Sequence, residues 1–488
     1  MYNLLPFQFE RRHEGVLLTN DIGEYIIISP DDFTKFYLRK LEKKEVYYNL
    51  KSKFFLYDQS LDKIIDTIAT RFRSRHQFLF ERTSLHMFVV TLRCNQQCEY
   101  CHASSEDYRK AEQYDMSNAI AKKAVDFAFQ TPSPYIKIEF QGGEPLLNFN
   151  VIKLIIKYST EINKIHKKGL DFVICTNLLA LTKEHIDFLK KYKVDVSTSL
   201  DGSESQHDSF RVDRFRNGTF SRVINNIKIA KKYLDSHKVC ALLTVTPKNI
   251  NSLREVIDLY IDQDFNYIFI RPLHNFGNAY KASSLEYSMQ DFINAYKDAL
   301  KYIIELNVKG VTFPEVYASI LLSKILTPFS SGFVDLQSPT GAGLSGIIYD
   351  INGDVFIADE GRMLHRTTGD KRFCIGHVSE TYQKVMANPF FEEVIRSSVL
   401  DATPGCSWCV YKPYCGSNPI KNYFFDGDLV GCPSKSKFCQ LHREIFDEIF
   451  SFLLESNEKV HDVFWSWVTR SSYKKIAELE LLESSEAE

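Results

Sequence analysis

The sequence lacks the features that mark several specialised classes of protein. No stretch approaches the run of about 18 apolar residues that a membrane-spanning helix needs. The charges are nearly balanced, since 60 basic and 62 acidic side chains leave a net charge of only −2. This balance gives no indication of nucleic acid as a partner. The first residues, MYNLLPFQFERR, lack the apolar segment and cleavage site of a secretory signal. We therefore expect a cytoplasmic protein that binds neither a membrane nor nucleic acid.

The sequence also lacks the signs of a disulfide framework, although it contains eleven cysteines. Disulfides are rare in large intracellular proteins. Three of the cysteines lie between residues 94 and 101 and six lie between 374 and 439, while Cys175 and Cys240 are isolated. Clustering of this kind favours ligation of a metal ion or an iron–sulfur cluster.

The middle of the chain, from residue 83 to about 310, alternates regularly between two kinds of segment. Amphipathic stretches such as TKEHIDFLKKY separate six strand-like apolar runs, at 85–92, 135–140, 171–177, 194–200, 239–245 and 267–273. Six βα units in succession predict a parallel sheet with right-handed crossovers. Six strands are too few for a closed eight-stranded barrel, so we expect an open, partial barrel with its functional residues at the C-terminal ends of the strands.

The flanking regions predict three further domains. In residues 1–82, the runs EGVLLTN and EYIIIS predict a hairpin that is followed by three helices. This unit could hold a peptide by adding it to a sheet edge, or it could be a packing extension of the core. Residues 311–450 are expected to form a bridging region, with a hairpin in SGIIYDINGDVFIAD, and a cysteine-rich domain; residues 451–488 are expected to form a helical tail.

The first group of cysteines has the spacing C-x3-C-x2-C and directly follows the first predicted strand. Cys94, Cys98 and Cys101 therefore lie on a loop at the expected functional edge of the sheet. Three thiolates can hold a four-iron cluster and leave one iron without a protein ligand, so that this iron can bind a small chelating molecule. The alternative is a zinc site that His102 or a distant group completes.

A second motif, FQGGEPLL, ends the second predicted strand. Gly142 and Gly143 would allow the backbone to approach a ligand closely. Glu144 offers a carboxylate that could accept hydrogen bonds from an amino group bound to the open iron. Turns of this composition are common, and the motif is informative because it lies one strand after the cysteine triplet.

Together the cysteine triplet, the GGEP turn and the βα series resemble the radical S-adenosylmethionine (SAM) enzymes. The resemblance implies that the open iron of a [4Fe–4S] cluster binds the amino and carboxylate groups of SAM. It also implies reductive cleavage of SAM to methionine and a 5′-deoxyadenosyl radical, which abstracts hydrogen from the substrate. The same resemblance implies that polar residues at or after the strand ends contact SAM. The alternative is that they are ordinary polar strand ends and surface arginines. These residues are Thr176, Asn177, Ser199, Asp201, Arg211 and Arg271.

The second group of cysteines resembles the SPASM domain, which adds auxiliary iron–sulfur clusters to peptide-modifying radical enzymes. The resemblance assigns one auxiliary [4Fe–4S] cluster to Cys406, Cys409, Cys415 and Cys439. Cys432 competes with Cys439 for the last place, and a zinc knuckle is the alternative. Cys374 is a core thiol, a ligand or a hydrogen donor near the site.

The chain also departs from the SPASM pattern. Thr340, Ala358 and Pro419 stand where that family has cysteines, so we expect the first of its two auxiliary clusters to be absent. Asp359 follows the second of these positions. A carboxylate there assists catalysis in sulfatase-maturing relatives, which makes Asp359 the candidate catalytic residue, although it could simply cap a turn.

The expected fold is therefore α/β: a partial (β/α)6 radical SAM barrel with a small N-terminal α+β domain and a C-terminal cysteine-rich SPASM-like domain. Segments such as LLTNDIGEYIIISPDDF, VDLQSPTGAG and GDVFIADEGRML resemble the HxsB-type maturases of the His-Xaa-Ser peptide system. That resemblance implies a ribosomally made peptide as substrate, companion maturation proteins and an electron donor. Maturation of a folded protein such as a sulfatase, and a non-catalytic metal-stabilised partner subunit, are the alternatives.

Overall fold

The computed structural model describes residues 2–110, 112–455, 457–473 and 475–476, and these fall into two compact units. The first unit combines Met1–Phe80, Ala318–Gly341 and Val394–Phe464, and the second combines Glu81–Tyr317, Ala342–Glu393 and Trp465–Glu488. Each unit is therefore assembled from segments that lie far apart in the sequence. The four domains expected from the sequence, 1–82, 83–310, 311–450 and 451–488, stay a prediction.

Sixteen strands are found in the described residues. In chain order they are β1 (Asn3–Leu4), β2 (Gln8–Arg11), β3 (Val16–Thr19), β4 (Tyr25–Ile28), β5 (Leu56–Tyr57), β6 (Leu85–Thr91), β7 (Arg93–Cys94), β8 (Glu106–Asp107), β9 (Tyr135–Gly142), β10 (Gly169–Cys175), β11 (Asp195–Ser199), β12 (Val239–Thr244), β13 (Ile270–Arg271), β14 (Gly346–Tyr349), β15 (Asp354–Phe356) and β16 (Cys374–His377).

Eighteen α-helices accompany them within the same described ranges. They are α1 (Pro30–Tyr37), α2 (Lys44–Ser52), α3 (Asp62–Arg75), α4 (Phe78–Glu81), α5 (Asn118–Phe129), α6 (Phe149–His166), α7 (Lys183–Lys191), α8 (Glu204–Asp208), α9 (Phe220–Leu234), α10 (Leu253–Asp262), α11 (Met289–Val308), α12 (Val316–Leu326), α13 (Asp359–Thr368), α14 (Tyr382–Met386), α15 (Pro389–Ser397), α16 (Pro419–Asp426), α17 (Lys437–Leu454) and α18 (Glu458–Thr469).

The second unit is built on a nine-stranded sheet with the order β13-β12-β11-β10-β9-β6-β14-β15-β16. The six strands predicted between residues 85 and 273 are all present, and they pair in parallel and in chain order. Strands β13 and β16 lie at the two edges, so the sheet is open. The predicted open, partial barrel of parallel strands is therefore confirmed.

The two faces of this sheet differ in polarity. Right-handed crossovers between strands that follow each other in order place all the connecting helices on the same face. On β9 the side chains of Ile136, Ile138 and Phe140 are completely buried, whereas Lys137 and Glu139, which point the opposite way, are half-buried. The helix-covered face is therefore apolar, and the other face offers polar side chains.

The predicted hairpin in SGIIYDINGDVFIAD is also confirmed, as antiparallel β14 and β15. Its position in the fold was not predicted. Strand β14 pairs in parallel with β6, the first strand of the βα series, and β16 adds a further antiparallel strand beside β15. The hairpin thus extends the sheet on the side of the three-cysteine strand.

The first unit contains the predicted N-terminal hairpin, β3 and β4, together with a third strand, β2, that the sequence analysis missed. Helix α1 begins after Ser29, whose hydroxyl accepts a hydrogen bond from the Asp32 amide, and it buries Phe33 and Phe36 against the sheet. In this unit the three-stranded meander β2-β3-β4 is joined to the C-terminal cysteine-rich segment by a hydrogen bond: the Thr19 hydroxyl donates to the Val410 carbonyl at 2.7 Å. These two regions of the sequence therefore share one body.

The described residues include no helix that is long and apolar enough to cross a membrane. In the predicted C-terminal tail, residues 458–469 form α18, and residues 477–488 lie outside the described part of the chain.

Candidate functional site

The three-cysteine loop begins where β6 reaches the C-terminal edge of the sheet. The short strands β7 and β8 pair at its base, so the residues between them form a closed loop. Arg93 is held by Asp115, with its Nε at 2.9 Å from one carboxylate oxygen, and the Thr91 hydroxyl donates to the same carboxylate. The Cys101 amide donates to the Cys98 carbonyl at 3.1 Å, which turns the loop back on itself. The loop is thus fixed to the first strand while its thiols remain available.

The three thiols share one buried environment. Cys94 is buried, Cys98 and Cys101 are half-buried, and all three are free thiols. Burial raises the pKa of Cys98 to about 11, with the Arg211 guanidinium opposing the shift and Cys101 and Asp201 adding to it. Burial also raises the pKa of Cys94, with further contributions from Cys98 and Glu144. Thiols in such a place ionise when a cationic metal compensates their charge, so the donor set fits an iron–sulfur cluster.

No group of three or more His, Cys, Asp or Glu residues in the described ranges is close enough to hold one metal ion. A single ion needs its thiolate ligands within about 2.3 Å of one centre. A four-iron cluster distributes its thiolates over separate iron atoms, which is compatible with thiols that influence each other without converging on one point.

The two glycines of the GGEP turn lie against the backbone at the end of the first strand. Gly142 adopts φ +151°, and a Cβ there would lie 2.1 Å from the Thr91 carbonyl oxygen; a Cβ on Gly143 would lie 2.2 Å from that of Arg93. The amides of Gly143 and Glu144 donate to these two carbonyls, each at 2.8 Å. The glycines therefore allow the turn to lie directly against the backbone that leads into Cys94, a contact that the sequence analysis did not anticipate.

Glu144 points into the protein and is completely buried. Its carboxylate accepts hydrogen bonds from the Thr176 hydroxyl at 2.6 Å, the Asn177 amide at 2.7 Å and the Leu146 amide at 3.0 Å. Burial raises its pKa to about 7, against the opposing effect of these donors. The carboxylate thus fixes Asn177, whose side-chain amide donates to Asn95 at 2.7 Å and lies 3.8 Å from the Cys94 sulfur. In this arrangement Glu144 organises the loops around the first cysteine.

Asp201 and Arg211 form a buried ion pair beside the same loop. The Arg211 Nε donates to Asp201 Oδ2 at 2.6 Å, and the Tyr100 hydroxyl donates to that oxygen as well. The guanidinium also lies 5.1 Å from the centre of the Tyr100 ring. With a side chain that is only 11% exposed, Arg211 is not a surface arginine. Its positive charge is therefore felt by the cysteine loop, where it opposes the rise that burial causes in the pKa of Cys98.

Two further predicted residues lie at strand ends in the same unit. Ser199 ends β11 half-buried, and its hydroxyl makes no hydrogen bond to any residue that the structure describes. Arg271 ends β13 and packs 5.2 Å from the Phe269 ring centre. Arg271 lies within electrostatic reach of His102, which follows Cys101, so Arg271 belongs to the surroundings of the cysteine loop.

The polar face of the sheet carries residues that the sequence analysis did not single out. Cys175 lies beside Ser197 in register, and Ser197 lies beside Cys240. The Cys175 sulfur lies 3.5 Å from a Glu139 carboxylate oxygen, which also accepts from Gln141 at 2.6 Å. The period-two alternation in YIKIEFQG could have identified Glu139 and Gln141 as residues of one face, and this row lies just below the edge that carries the thiols.

Asp359 is the first residue of α13. One of its carboxylate oxygens accepts from both Nε and Nη2 of Arg362 at 2.9 Å, and its other oxygen has no hydrogen-bond partner in the described residues. Ala358 directly precedes the helix and is buried. Cys374 lies in β16 of the same unit, where its thiol donates to the Gly376 carbonyl at 3.4 Å.

The C-terminal cysteines gather in the first unit. Burial and the neighbouring thiols of Cys439 and Cys409 raise the pKa of Cys406 to about 11, and the pKa of Cys415 is raised by burial and by the same group. Cys432 is exposed instead, and hydrogen bonding with Ser434 lowers its pKa. The structure thus brings Cys406, Cys409, Cys415 and Cys439 together and leaves Cys432 apart.

Comparisons with known proteins agree with this geometry. Residues 88–260 match the family model described as the radical SAM superfamily. A cysteine-type anaerobic sulfatase-maturating enzyme of Clostridium novyi (strain NT) is 24% identical over 389 residues, which are 76% of this chain and 96% of that protein. Native anSMEcpe with bound AdoMet and the Cp18Cys peptide is similar with a TM-score of 0.64 and 19% identity, over 76% of this chain and 98% of that one. Streptococcus suis SuiB, bound to its precursor peptide SuiA, is similar with a TM-score of 0.54 and 13% identity, over 90% of this chain and 100% of that one.

The two solved structures confirm the predicted fold class. Both likenesses extend beyond the matched segment 88–260 and cover at least three quarters of the chain. The finer resemblance to the His-Xaa-Ser branch stays a prediction.

Proposed function

We propose that this chain is a radical SAM enzyme and that it modifies a ribosomally made peptide after translation. One observation carries the proposal: three free thiols on one loop lie at the C-terminal edge of an open parallel sheet, next to a buried arginine and a row of polar residues. Support for a peptide substrate comes from the similar proteins, since SuiB and anSMEcpe were both solved with peptides bound.

In this proposal Cys94, Cys98 and Cys101 hold a four-iron cluster and leave one iron open. With SAM bound, this group would supply reductive cleavage of SAM, with one electron from the proposed electron donor, and so the means to abstract a hydrogen atom from the peptide. Arg211 neutralises the carboxylate of SAM, and Asp201 and Tyr100 hold the guanidinium in place for that purpose. The other proposed contacts with SAM or its binding loops are Gly142, Gly143, Glu144, Thr176, Asn177 and Ser199.

The side chain that is modified would lie against the polar face of the sheet. Glu139, Gln141 and Cys175 provide a carboxylate, an amide and a thiol one to three residues before the edge where SAM binds. Asp359 is the proposed proton acceptor during substrate oxidation, because the second oxygen of its carboxylate is not engaged by the described residues.

The first unit would contribute the auxiliary chemistry and peptide recognition. We propose that Cys406, Cys409, Cys415 and Cys439 hold one auxiliary four-iron cluster. The meander with the order β2-β3-β4 has β2 and β4 as its edges, and an edge strand can bind an extended peptide by strand addition. The proposed partners are a precursor peptide with His-Xaa-Ser repeats, companion maturation proteins and an electron donor.

Anaerobic reconstitution tests the chemistry. The protein should bind about eight iron atoms, as expected for two four-iron clusters, and should form 5′-deoxyadenosine from SAM when a reductant is added. Cys98→Ala should remove product formation, whereas Cys432→Ala, the same change at an exposed cysteine outside both groups, should not. Product formation that survives Cys98→Ala would refute the assignment. The substrate is tested by anaerobic co-expression with a peptide that carries His-Xaa-Ser repeats, followed by mass spectrometry.

Maturation of a sulfatase is the second candidate function. The observation that favours it is the similarity to the Clostridium novyi enzyme over 96% of that protein. A synthetic peptide with the cysteine-type sulfatase motif would be converted to an aldehyde product if this candidate is right, and the His-Xaa-Ser peptide would then remain unchanged.

A further inference from the structure

Helix α13 is fastened along the three-cysteine loop. Arg366 on this helix donates to the Glu106 carboxylate at 3.3 Å, and the Thr367 hydroxyl accepts from the Gly277 amide at 3.0 Å. Gly277 itself packs on the loop, since a Cβ there would lie 2.4 Å from the His102 carbonyl oxygen and 2.6 Å from that of Cys101. The face of α13 that carries Arg366 therefore looks toward the segment that follows Cys101.

Arg362 lies four residues before Arg366, so the two side chains share that face. Arg362 is one of the largest completely buried side chains of the protein, with 1% exposure. Its Nε and Nη2 bind Asp359, but Nη1 is buried and has no hydrogen-bond partner in the described residues. A buried, unsatisfied donor on a cation is unfavourable unless an acceptor or an anion compensates it.

The charges around Arg362 connect it with the cysteine loop. Burial lowers the pKa of Arg362, but Asp359, Asp350 and Cys101 together shift it upward, so Cys101 is within electrostatic reach of this guanidinium. Arg211 is paired with Asp201, and Arg362 with Asp359. The unsatisfied Nη1 of Arg362, with Cys101 within electrostatic reach of the guanidinium, fits an anionic group at the three cysteines.

We propose that Arg362 is a positioning residue that balances charge for the iron–sulfur cluster of Cys94, Cys98 and Cys101, and that Asp359 holds it in place. Reduction adds one electron to the cluster, and a fixed positive charge in a buried site stabilises that electron. Arg362 therefore raises the reduction potential of the cluster and favours its loading with iron. This inference rests on the proposed function, because it requires the cluster to be bound by these three thiols.

The test compares Arg362→Gln, Arg362→Lys and Asp359→Asn in the anaerobically reconstituted full-length protein. The measurement is a redox titration followed by electron paramagnetic resonance, using the cluster signal that changes when SAM is added. Arg362→Gln should lower the ratio of reduced to oxidised cluster at a fixed potential about tenfold, which corresponds to about 59 mV for one electron. Arg362→Lys keeps the charge and should stay within about threefold of the wild type. Asp359→Asn removes a negative charge and should raise the ratio.

The opposite signs of the two changes separate charge balance from a purely structural role. An unchanged ratio in Arg362→Gln, or shifts of Arg362→Gln and Asp359→Asn in the same direction, would overturn the inference. If Arg362→Gln fails to assemble its clusters, the sign of the Asp359→Asn shift decides the question. A wild-type protein without any SAM-sensitive signal would instead contradict the proposed function. If Asp359 also accepts a proton, Asp359→Asn loses peptide product in addition to the shift in potential.

Discussion

The two groups of cysteines are surrounded by different side chains. The group at residues 94–101 lies among buried polar and charged residues, with Arg211, Asp201 and Glu144 within electrostatic reach. The group at residues 406–439 has both charged and aromatic residues in its surroundings: Arg443, Glu10 and Asp447 lie within electrostatic reach of Cys409, and in the same segment the rings of Tyr411 and Tyr414 pack against Phe446 and Phe450. A four-iron cluster with three thiolates leaves one iron open to a ligand, and the polar surroundings of the first group suit the binding of a polar ligand there. The second group offers four thiolates, one for every iron of a four-iron cluster, which suits a cluster that transfers electrons.

The largest expected effect separates the two groups by function. Cys98→Ala and Cys409→Ala should each lower bound iron from about eight to about four atoms, because each removes a ligand from one four-iron cluster. Only Cys98→Ala should abolish 5′-deoxyadenosine formation, whereas Cys409→Ala should keep it and lose peptide modification. Iron analysis and chromatography of the nucleoside product check both variants. If Cys409→Ala also abolishes cleavage of SAM, the two groups do not have the separate roles proposed here.

The next prediction concerns the turn that backs the open site. Gly142→Ala should lower the free energy of unfolding by about 4 kcal/mol and prevent iron binding at the first group, because it combines an unfavourable φ with a clash. The clash is with the Thr91 carbonyl, 2.1 Å from the new Cβ. Chemical denaturation and iron analysis measure the two effects.

The matched control for this change is Gly369→Ala. Gly369 has φ +83° and nothing within 4 Å of a new Cβ, so only the backbone strain applies. Its cost should be about 1 kcal/mol. Equal costs at the two glycines would show that the contact with Thr91 does not matter.

Much of the scaffold in which these glycines lie could be predicted from the sequence. The succession of strand-like apolar runs and amphipathic stretches located all six parallel strands, because strands buried in a parallel sheet are rich in apolar residues. The pairing of Arg211 with Asp201 and Tyr100 could not be predicted, since these residues come from separate loops that only the folded sheet brings together. Burial of Arg362 was equally hidden, because the helix sequence DEGRMLHRTT is typical of an exposed helix.

The orientation of Glu144 was also beyond the sequence. The GGEP motif alone does not tell whether its carboxylate faces a ligand or the interior, since either orientation satisfies the turn. The carboxylate faces the interior because three groups there donate hydrogen bonds to it. Two of them, the Thr176 hydroxyl and the Asn177 amide, belong to a loop more than thirty residues away. Such donors become visible only when the ends of β9 and β10 are placed side by side.

Burial of Glu144 predicts a pH dependence of stability. Its pKa is raised from a usual value near 4.5 to about 7, so between these values the folded protein retains a proton that the unfolded chain releases. The free energy of unfolding should therefore fall as the pH rises from about 4.5 to about 7, by up to about 3 kcal/mol. Glu144→Gln should remove this part of the pH dependence, whereas Glu161→Gln on the exposed surface of α6 should not. Denaturation curves at several pH values give the slope, and a wild-type slope in Glu144→Gln would contradict the prediction.

The smallest expected effect concerns the first unit, where the meander is joined to the C-terminal cysteines. Thr19→Val should lower the free energy of unfolding of this unit by about 1 kcal/mol, because it removes the buried hydrogen bond to the Val410 carbonyl next to Cys409. Thr34→Val, which removes an exposed hydroxyl that donates to the Pro30 carbonyl, should cost less. If the bond also orients the cysteine segment, the spectrum of the auxiliary cluster should change in Thr19→Val while the signal of the first cluster stays constant. A change confined to the first cluster would show that this link does not act on the group at residues 406–439.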